Sequence, residues 1–187
     1  MSDLLKVDWT RIPAPQDDGG ADHLTGLSIP SIPLVATNDA LIDLARVQGR
    51  SVVYAYPMTG RPDLPMPDGW DLIPGARGCT PQSCAFRDHA AEIAALGVSN
   101  LYGLSTQDTD HQREAADRLH LPFPLLSDQQ LKLTSALNLP TLSVENLTLT
   151  KRLTMVIDNG RITMVFYPVF PPDQHADVVI DWLKRNT

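Results

Sequence analysis

The chain contains two cysteines, Cys79 and Cys84, and both lie in the segment GARGCTPQSCAFRD at residues 75–88. Four residues separate them, whereas metal sites and thioredoxin-type redox motifs usually place two residues between paired cysteines. A Thr-Pro pair follows Cys79 directly, and these residue types are typical of a helix start. The free N–H groups and the positive dipole end at a helix start stabilise an anion such as a thiolate. Because the thiolate is the nucleophilic form of cysteine, the pattern indicates a reactive Cys79.

The spacing of the two thiols keeps them apart as long as both are helical. Cα atoms five residues apart in a helix stand roughly 8.7 Å from each other, whereas a disulfide needs about 4.4–6.8 Å. A bond between Cys79 and Cys84 therefore requires the first turn of the helix to unwind, and helix ends fray readily. The spacing suits a two-step cycle in which Cys79 reacts with an oxidant and then joins Cys84 after local unfolding.

Two other interpretations of the thiols stay open at this point. The pair could be small buried apolar residues without chemistry, although a helix start is an unfavourable place for an inert thiol. A zinc site would need four ligands, and the candidate histidines are scattered along the chain (His23, His89, His111, His120 and His175).

Composition and charge exclude several classes of function. The net charge is 15 minus 22, or −7, and no basic cluster is present, so nucleic acid and anionic membranes are unsuitable partners. The sequence shows neither an apolar run of signal-peptide length at its start nor a segment long enough to cross a membrane. We therefore predict a cytoplasmic protein, in a compartment where thiols are kept reduced.

The chain divides into an arm and one domain. Residues 1–26 are rich in Asp, Gly and Pro and are predicted to be an irregular N-terminal arm, which leaves residues 27–187 as the domain. Within it, residues 58–78 contain four prolines and four glycines and predict a long loop directly before Cys79. Loops of this length inside compact domains are often functional.

Strand and helix patterns alternate along the domain. Prolines restrict a strand-like segment at 27–35 to an edge or a loop. The predicted strands cover 50–57, 98–105 and 123–128, followed by a hairpin of 152–158 and 161–168 around an Asn-Gly turn. The predicted helices cover 80–97, with Thr80 as N-cap and Gly97 as the end, then 109–120, 129–138 and 171–186. This order predicts an α/β protein with a mixed central sheet sandwiched between helices, as in the thioredoxin fold.

The cysteine segment resembles the peroxidatic segment of peroxiredoxins. Within them it is most similar to the atypical two-cysteine group known as bacterioferritin comigratory protein or PrxQ. In that group a strand ending in Tyr-Pro leads to a Gly-Cys-Thr helix start, with a second cysteine five residues later and then Arg-Asp. The matching residues here are Tyr56-Pro57, Gly78-Cys79-Thr80, Cys84 and Phe86-Arg87-Asp88, and RLTMVID at 152–158 resembles a second family segment. The resemblance covers residues 27–187.

The resemblance implies a thiol-dependent peroxidase without metal or prosthetic group. Its substrates would be hydrogen peroxide and organic hydroperoxides, which convert Cys79 to a sulfenic acid. Cys84 would resolve this acid to an intramolecular disulfide, which a thioredoxin-like or glutaredoxin-like dithiol reduces. Arg152 matches the family arginine that holds the thiolate and polarises the peroxide. The protein would be a monomer or a homodimer.

The match departs from the family just before the reactive cysteine. The family's shielding proline and orienting threonine fall on Leu72 and Ala76 here, because extra residues separate Pro57 from Cys79. Pro57 would then keep the shielding role, and Thr59 would supply the hydroxyl if the loop folds back. Otherwise the side chain of Thr80, a backbone amide or water would serve.

Rival functions for the same residues are a thiol–disulfide oxidoreductase acting on proteins and a non-enzymatic redox-sensing binding module. The first class usually carries the two-residue cysteine spacing that is missing here. A sensor would react once per molecule, whereas a peroxidase would turn over repeatedly with a reductant. A catalytically inactive scaffold would lack a reactive Cys79.

Overall fold

A seven-stranded mixed sheet forms the centre of the computed structural model, which describes residues 7–186. The strands are β1 (Pro33–Ala36), β2 (Leu41–Asp43), β3 (Arg50–Ala55), β4 (Val98–Ser105), β5 (Leu125–Ser127), β6 (Thr141–Val144), β7 (Leu147–Thr150), β8 (Leu153–Asp158) and β9 (Arg161–Phe166). The sheet order is β2-β1-β5-β4-β3-β8-β9, and β6 pairs with β7 in a separate hairpin. Strands β3, β4 and β5 run parallel, and β8 is antiparallel to β3 and β9.

Helices cover both faces of this sheet. They are α1 (Cys79–Asp88), α2 (Ala90–Ala95), α3 (Thr109–Arg118), α4 (Lys132–Ala136) and α5 (His175–Arg185), with short 3₁₀ turns at Trp9–Arg11, Trp70–Leu72 and Pro172–Gln174. The arrangement confirms the predicted α/β class, with a mixed sheet between helices in the thioredoxin-fold layout. Among residues 7–186, no helix is long and apolar enough to cross a membrane.

The side chains of β3 alternate between two hydrophobic clusters, one on each face of the sheet. Val52 and Tyr54 pack with α1, α2 and α5, whereas Val53 and Ala55 pack on the opposite face with α4. Every residue of β3 after Arg50 is buried, as expected for a central strand. Helix α5 packs on the sheet through a set of buried residues (Ala176, Val179, Ile180 and Leu183).

The helix predicted over 80–97 differs from the observed structure at both its start and its middle. It begins one residue earlier, at Cys79, and its N-cap is Gly78 rather than Thr80. Gly78 has φ 109°, a left-handed conformation that favours glycine and allows the chain to turn sharply into the helix. The helix is also interrupted at His89, which ends α1 and precedes α2.

Several structured segments were not assigned from the sequence. Strand β2 and the β6–β7 hairpin fall in stretches for which no element was predicted. The hairpin matters for the 58–78 loop, because Val144 and Leu149 pack against Trp70 and Ala76 in a small separate core. In the arm, Ala21 and Leu24 are buried in the main core. The division of the chain after residue 26 stays a prediction.

Candidate active site

Cys79 lies in the first turn of α1 and is only 3% exposed. Its Sγ accepts a hydrogen bond from Arg152 Nη2 at 3.2 Å and donates one to Ala76 O at 3.6 Å. The fold thus brings together two residues that are 73 positions apart in the chain. A guanidinium is always charged, so a fixed positive charge lies directly against the sulfur.

Arg152 is held by the loop that precedes Cys79. It is also 3% exposed. Its Nη2 lies within hydrogen-bond distance of three successive carbonyl oxygens, those of Gly75 (3.3 Å), Ala76 (3.1 Å) and Arg77 (3.1 Å). A buried charge is tolerated only when acceptors of this kind replace its lost hydration. Arg152 therefore orders the loop as well as facing the sulfur.

Gln82 is a site residue that the sequence analysis missed. Its side chain is fully buried in α1, and its Oε1 accepts a hydrogen bond from Arg152 Nη1. With Nη1 on Gln82 and Nη2 on Cys79, the guanidinium is aligned along the helix start. The sequence shows only a polar residue within a predicted helix. The burial of Gln82 and of its neighbours Pro81 and Ser83 depends on tertiary packing, which the sequence does not reveal.

A cavity of about 190 Å³ opens in front of Cys79. The 58–78 loop supplies most of its wall, chiefly apolar side chains, and α1 contributes its first residues. The lining side chains include Met58, Pro62, Met66, Trp70, Arg61, Arg77 and Thr80. A small molecule in this cavity would contact Cys79 and a largely apolar wall.

Thr59 and Pro57 are both buried, but neither lines this cavity. The Thr59 hydroxyl donates to Gln107 Oε1 at 3.3 Å, and the backbone N–H of Thr59 donates to the same oxygen at 2.9 Å. Thr80, the alternative hydroxyl, does line the cavity beside Cys79. The roles of Thr59 and Pro57 stay predictions, with no contact to Cys79 among the described hydrogen bonds.

Cys84 lies on the same helix as Cys79, and both thiols are free. It is buried, and burial raises the pKa of the Cys84 thiol. A protonated thiol is a poor nucleophile, so burial disfavours the reactive form of Cys84 while α1 is folded. Within residues 7–186, no group of three or more His, Cys, Asp and Glu side chains is placed to hold a metal ion.

His175 lies behind the site, at the start of α5. Its Nε2 is 2.9 Å from Thr154 Oγ1, and its ring packs edge-on against Phe86 and Phe166. Burial, and to a smaller extent the positive charge of Arg152, lower the pKa of His175 to about 3. The imidazole therefore stays neutral beside the cationic site at every physiological pH.

This buried histidine predicts a loss of stability in mild acid. The unfolded chain takes up a proton near pH 6.5 and the folded chain does so only near pH 3, so stability falls as the pH drops below about 6.5. Between pH 7 and pH 5 this group alone should cost about 2 kcal/mol. In urea unfolding, His175→Asn should remove that part of the pH dependence, whereas the exposed control His120→Asn should retain it. An unchanged pH dependence in His175→Asn would contradict the assignment.

Comparison with known sequences matches the chain to a protein family and to curated relatives. The family model described as Redoxin matches residues 24–180. Among curated proteins, the chain is 30% identical over 145 residues to the chloroplastic peroxiredoxin Q of Sedum lineare, covering 76% of this chain and 68% of that protein. It is 29% identical over 161 residues to the chloroplastic peroxiredoxin Q of Populus jackii, covering 85% and 67%.

A solved structure of similar fold also comes from a protein with a related name. The crystal structure of peroxidoxin BcpB from Mycobacterium tuberculosis superimposes with a TM-score of 0.70 at 25% identity, over 88% of this chain and 99% of that one.

The chain spans between 58% and 68% of the length of three plant relatives named peroxiredoxin Q, so those proteins carry additional sequence.

Proposed function

Because the chain belongs to the Redoxin family and is a peroxiredoxin of the PrxQ type, we propose that it reduces hydroperoxides with Cys79 as the nucleophile. The assignment of Cys79 rests on one observation: its sulfur lies at a helix start, 3.2 Å from the buried guanidinium of Arg152. Cys84 has no comparable cation at its sulfur among the described hydrogen bonds and is more suited to a later step.

The first step is a displacement at oxygen. The Cys79 thiolate attacks the terminal oxygen of the hydroperoxide, the O–O bond breaks, and the remaining oxygen leaves as an alkoxide that takes up a proton to give an alcohol, or water from hydrogen peroxide. The sulfur is oxidised by two electrons to a sulfenic acid. We assign to Arg152 the stabilisation of the thiolate before the attack and of the negative charge that develops on the leaving oxygen.

The second step joins the two cysteines. The Cys84 thiolate attacks the Cys79 sulfenic sulfur, hydroxide leaves and is protonated to water, and a disulfide forms. Because both residues belong to α1, the first turns of this helix must unwind before the sulfurs can meet. A dithiol of the thioredoxin or glutaredoxin type then exchanges with the disulfide and restores both thiols.

The cavity supports organic hydroperoxides as substrates alongside hydrogen peroxide. Met58, Met66 and Trp70 provide an apolar wall that a hydrocarbon group would contact, and the open volume of about 190 Å³ exceeds what hydrogen peroxide needs. We propose that the 58–78 loop is an insertion that builds this wall, and that Thr80 contributes the hydroxyl that the family takes from the position of Ala76.

The resolving step should accelerate with pH. Burial raises the pKa of the Cys84 thiol in folded α1, whereas in the unwound helix the thiol has its ordinary pKa of about 8.5. Loss of the Cys84 proton therefore favours the unwound helix as the pH rises toward that value. In the unwound helix the reactive thiolate fraction rises about tenfold per pH unit below that value. The rate of disulfide formation from the sulfenic acid, followed by rapid quenching and mass spectrometry, should therefore rise steeply from pH 6 to pH 8. A rate independent of pH over this range would contradict the proposal.

The partners and compartment follow from this chemistry as proposals. A reductant of the thioredoxin type implies a reducing compartment, for which we propose the cytoplasm. The acidic net charge of −7 argues against nucleic acid and anionic membranes as partners. Formation of the disulfide requires only one chain, so the proposed cycle is compatible with a monomer or a homodimer.

The test is turnover with a reductant. The protein should consume many equivalents of cumene hydroperoxide or hydrogen peroxide in the presence of thioredoxin, thioredoxin reductase and NADPH. A redox-sensing module would consume one equivalent and stop, and a thiol–disulfide oxidoreductase would reduce insulin disulfides faster than peroxide. Either of those two outcomes would replace the proposed function.

A further inference from the structure

The first part of the N-terminal arm lies across the start of the cysteine helix, where Trp9 contacts the body of the domain. The indole Nε1 of Trp9 donates a hydrogen bond to Asp173 Oδ2 at 2.8 Å. The same ring meets Phe170 edge-on, with centroids 5.8 Å apart and an interplanar angle of 81°. Both partners lie in the segment that leads into α5, so the arm is fixed to the body of the domain.

Gly78, the N-cap of α1, packs directly against this ring. A Cβ atom built on Gly78 would lie 2.7 Å from Cη2 of Trp9 and 2.3 Å from Cγ of Pro172, both closer than real Cβ contacts allow. The residue before the reactive cysteine is thus enclosed between the arm and the 3₁₀ turn at Pro172–Gln174.

The arm also contacts other parts of the site. Pro15 packs against Gly75, where an added Cβ would lie 3.3 Å from Pro15 Cβ, and Val7 contributes to the wall of the cavity in front of Cys79. The two ends of the Gly75–Gly78 loop, whose carbonyls hold Arg152, are therefore each covered by a residue of the arm.

These contacts have a kinetic consequence if the function proposed above is correct. Unwinding of the first turn of α1 must displace Gly78 and Cys79, and this displacement breaks the packing of Gly78 against Trp9. We propose that Trp9 is a positioning residue that keeps the first turn of α1 folded and thereby slows disulfide formation between Cys79 and Cys84. Loss of a packing contact of this kind commonly shifts an equilibrium by about threefold to tenfold.

Slower resolution prolongs the lifetime of the Cys79 sulfenic acid. A second hydroperoxide molecule can then transfer its terminal oxygen to this sulfur, which is oxidised by two more electrons to a sulfinic acid while the hydroperoxide is reduced to an alcohol. Trp9 therefore makes the protein more sensitive to inactivation by excess hydroperoxide. This sensitivity depends on the competition between the second oxidation and the unwinding of α1.

The experiment compares Trp9→Ala with two controls in the full chain. Trp9→Phe keeps an aromatic ring against Gly78, and Arg11→Ala changes an exposed residue in the same 3₁₀ turn. Reduced protein is mixed with one equivalent of cumene hydroperoxide, quenched at intervals and analysed by mass spectrometry for sulfenic acid and disulfide. Excess hydroperoxide then gives the concentration at which half of the protein becomes sulfinic acid.

In Trp9→Ala we expect disulfide formation to be about threefold to tenfold faster, because the packing on Gly78 is lost, and a correspondingly higher hydroperoxide concentration for half conversion to sulfinic acid. Trp9→Phe should lie close to the wild type, and Arg11→Ala should match it. Asp173→Ala removes only the acceptor of the indole N–H and should accelerate disulfide formation by a smaller factor. This variant provides the test if Trp9→Ala does not fold.

The outcomes separate this inference from the proposed function. If the sulfenic acid forms but resolves at the wild-type rate or more slowly in Trp9→Ala and in Asp173→Ala, the role of Trp9 is wrong and the peroxidase assignment stands. If the wild-type protein forms no sulfenic acid at Cys79, the proposed function itself fails. A merely structural role for Trp9 would lower the melting temperature without changing the ratio of disulfide to sulfinic acid.

Discussion

Cys79→Ser is expected to abolish hydroperoxide reduction, with kcat/KM lower by about 10³-fold or more, the scale seen when a covalent nucleophile is removed. A serine hydroxyl is not ionised at neutral pH, even next to a guanidinium, so it cannot attack the O–O bond. The replacement is nearly isosteric and Cys79 is buried, so the fold should persist. The thioredoxin-coupled assay with cumene hydroperoxide measures the loss.

The matched control is Cys84→Ser, which changes the other buried thiol of α1 by the same atom. This variant should still consume one equivalent of hydroperoxide at the wild-type rate and then stop with thioredoxin as the reductant, because the sulfenic acid has no resolving partner. If Cys79→Ser retained the activity of the parent protein, or if Cys84→Ser failed in the first step, the assignment of the two cysteines would be wrong.

Arg152→Met should lower the rate of the first step by about 10²–10³-fold, the range commonly seen when one preorganised charge-stabilising group is removed. The substitution removes the cation 3.2 Å from the Cys79 sulfur and with it the stabilisation of both the thiolate and the leaving oxygen. It also leaves the carbonyl oxygens of Gly75, Ala76 and Arg77 without their shared donor, so the loop before Cys79 should become less ordered. Arg152→Lys should retain part of the rate, because a lysine keeps the charge but not the planar donor set.

Arg50→Met provides the control for loss of an arginine from this sheet. Arg50 lies on β3, pairs with Asp158 at 2.8 Å and stacks over Trp182. Its described hydrogen bonds go to Asp158 and Asn186, and none goes to a cysteine. Its loss should reduce stability and leave the single-turnover rate within about twofold, as for other surface substitutions away from a site. Single-turnover measurements on both variants separate the chemical step from folding. A normal rate in Arg152→Met would remove the arginine from the mechanism.

The parts of the fold predicted from the sequence are those that local patterns specify. Strand β4 matches its predicted span, and β3 and the β8–β9 hairpin lie within theirs, because apolar runs and an Asn-Gly turn are local signals. The placement of Cys79 at the start of a helix was likewise predicted from the Thr-Pro pair that follows it.

The parts that were not predicted depend on distant contacts. Gly78 rather than Thr80 caps α1 because the chain enters the helix beneath Trp9 and Pro172, far away in the sequence. The burial of Gln82 follows from the position of Arg152, and the orientation of Thr59 follows from Gln107. The β6–β7 hairpin gains its core partners, Trp70 and Ala76, from the 58–78 loop. Such tertiary partners override local propensity, and a single sequence does not show them.

The most direct measurement is peptide mapping by mass spectrometry after the reduced protein has received one equivalent of hydroperoxide. We predict that the peptide containing Cys79 and the peptide containing Cys84 are joined within a single chain, and that Cys84→Ser instead carries a sulfenic acid on Cys79. Recovery of both cysteines as unmodified thiols, or oxidation of Cys84 with Cys79 left intact, would contradict a nucleophile at the helix start that reaches its partner by unwinding.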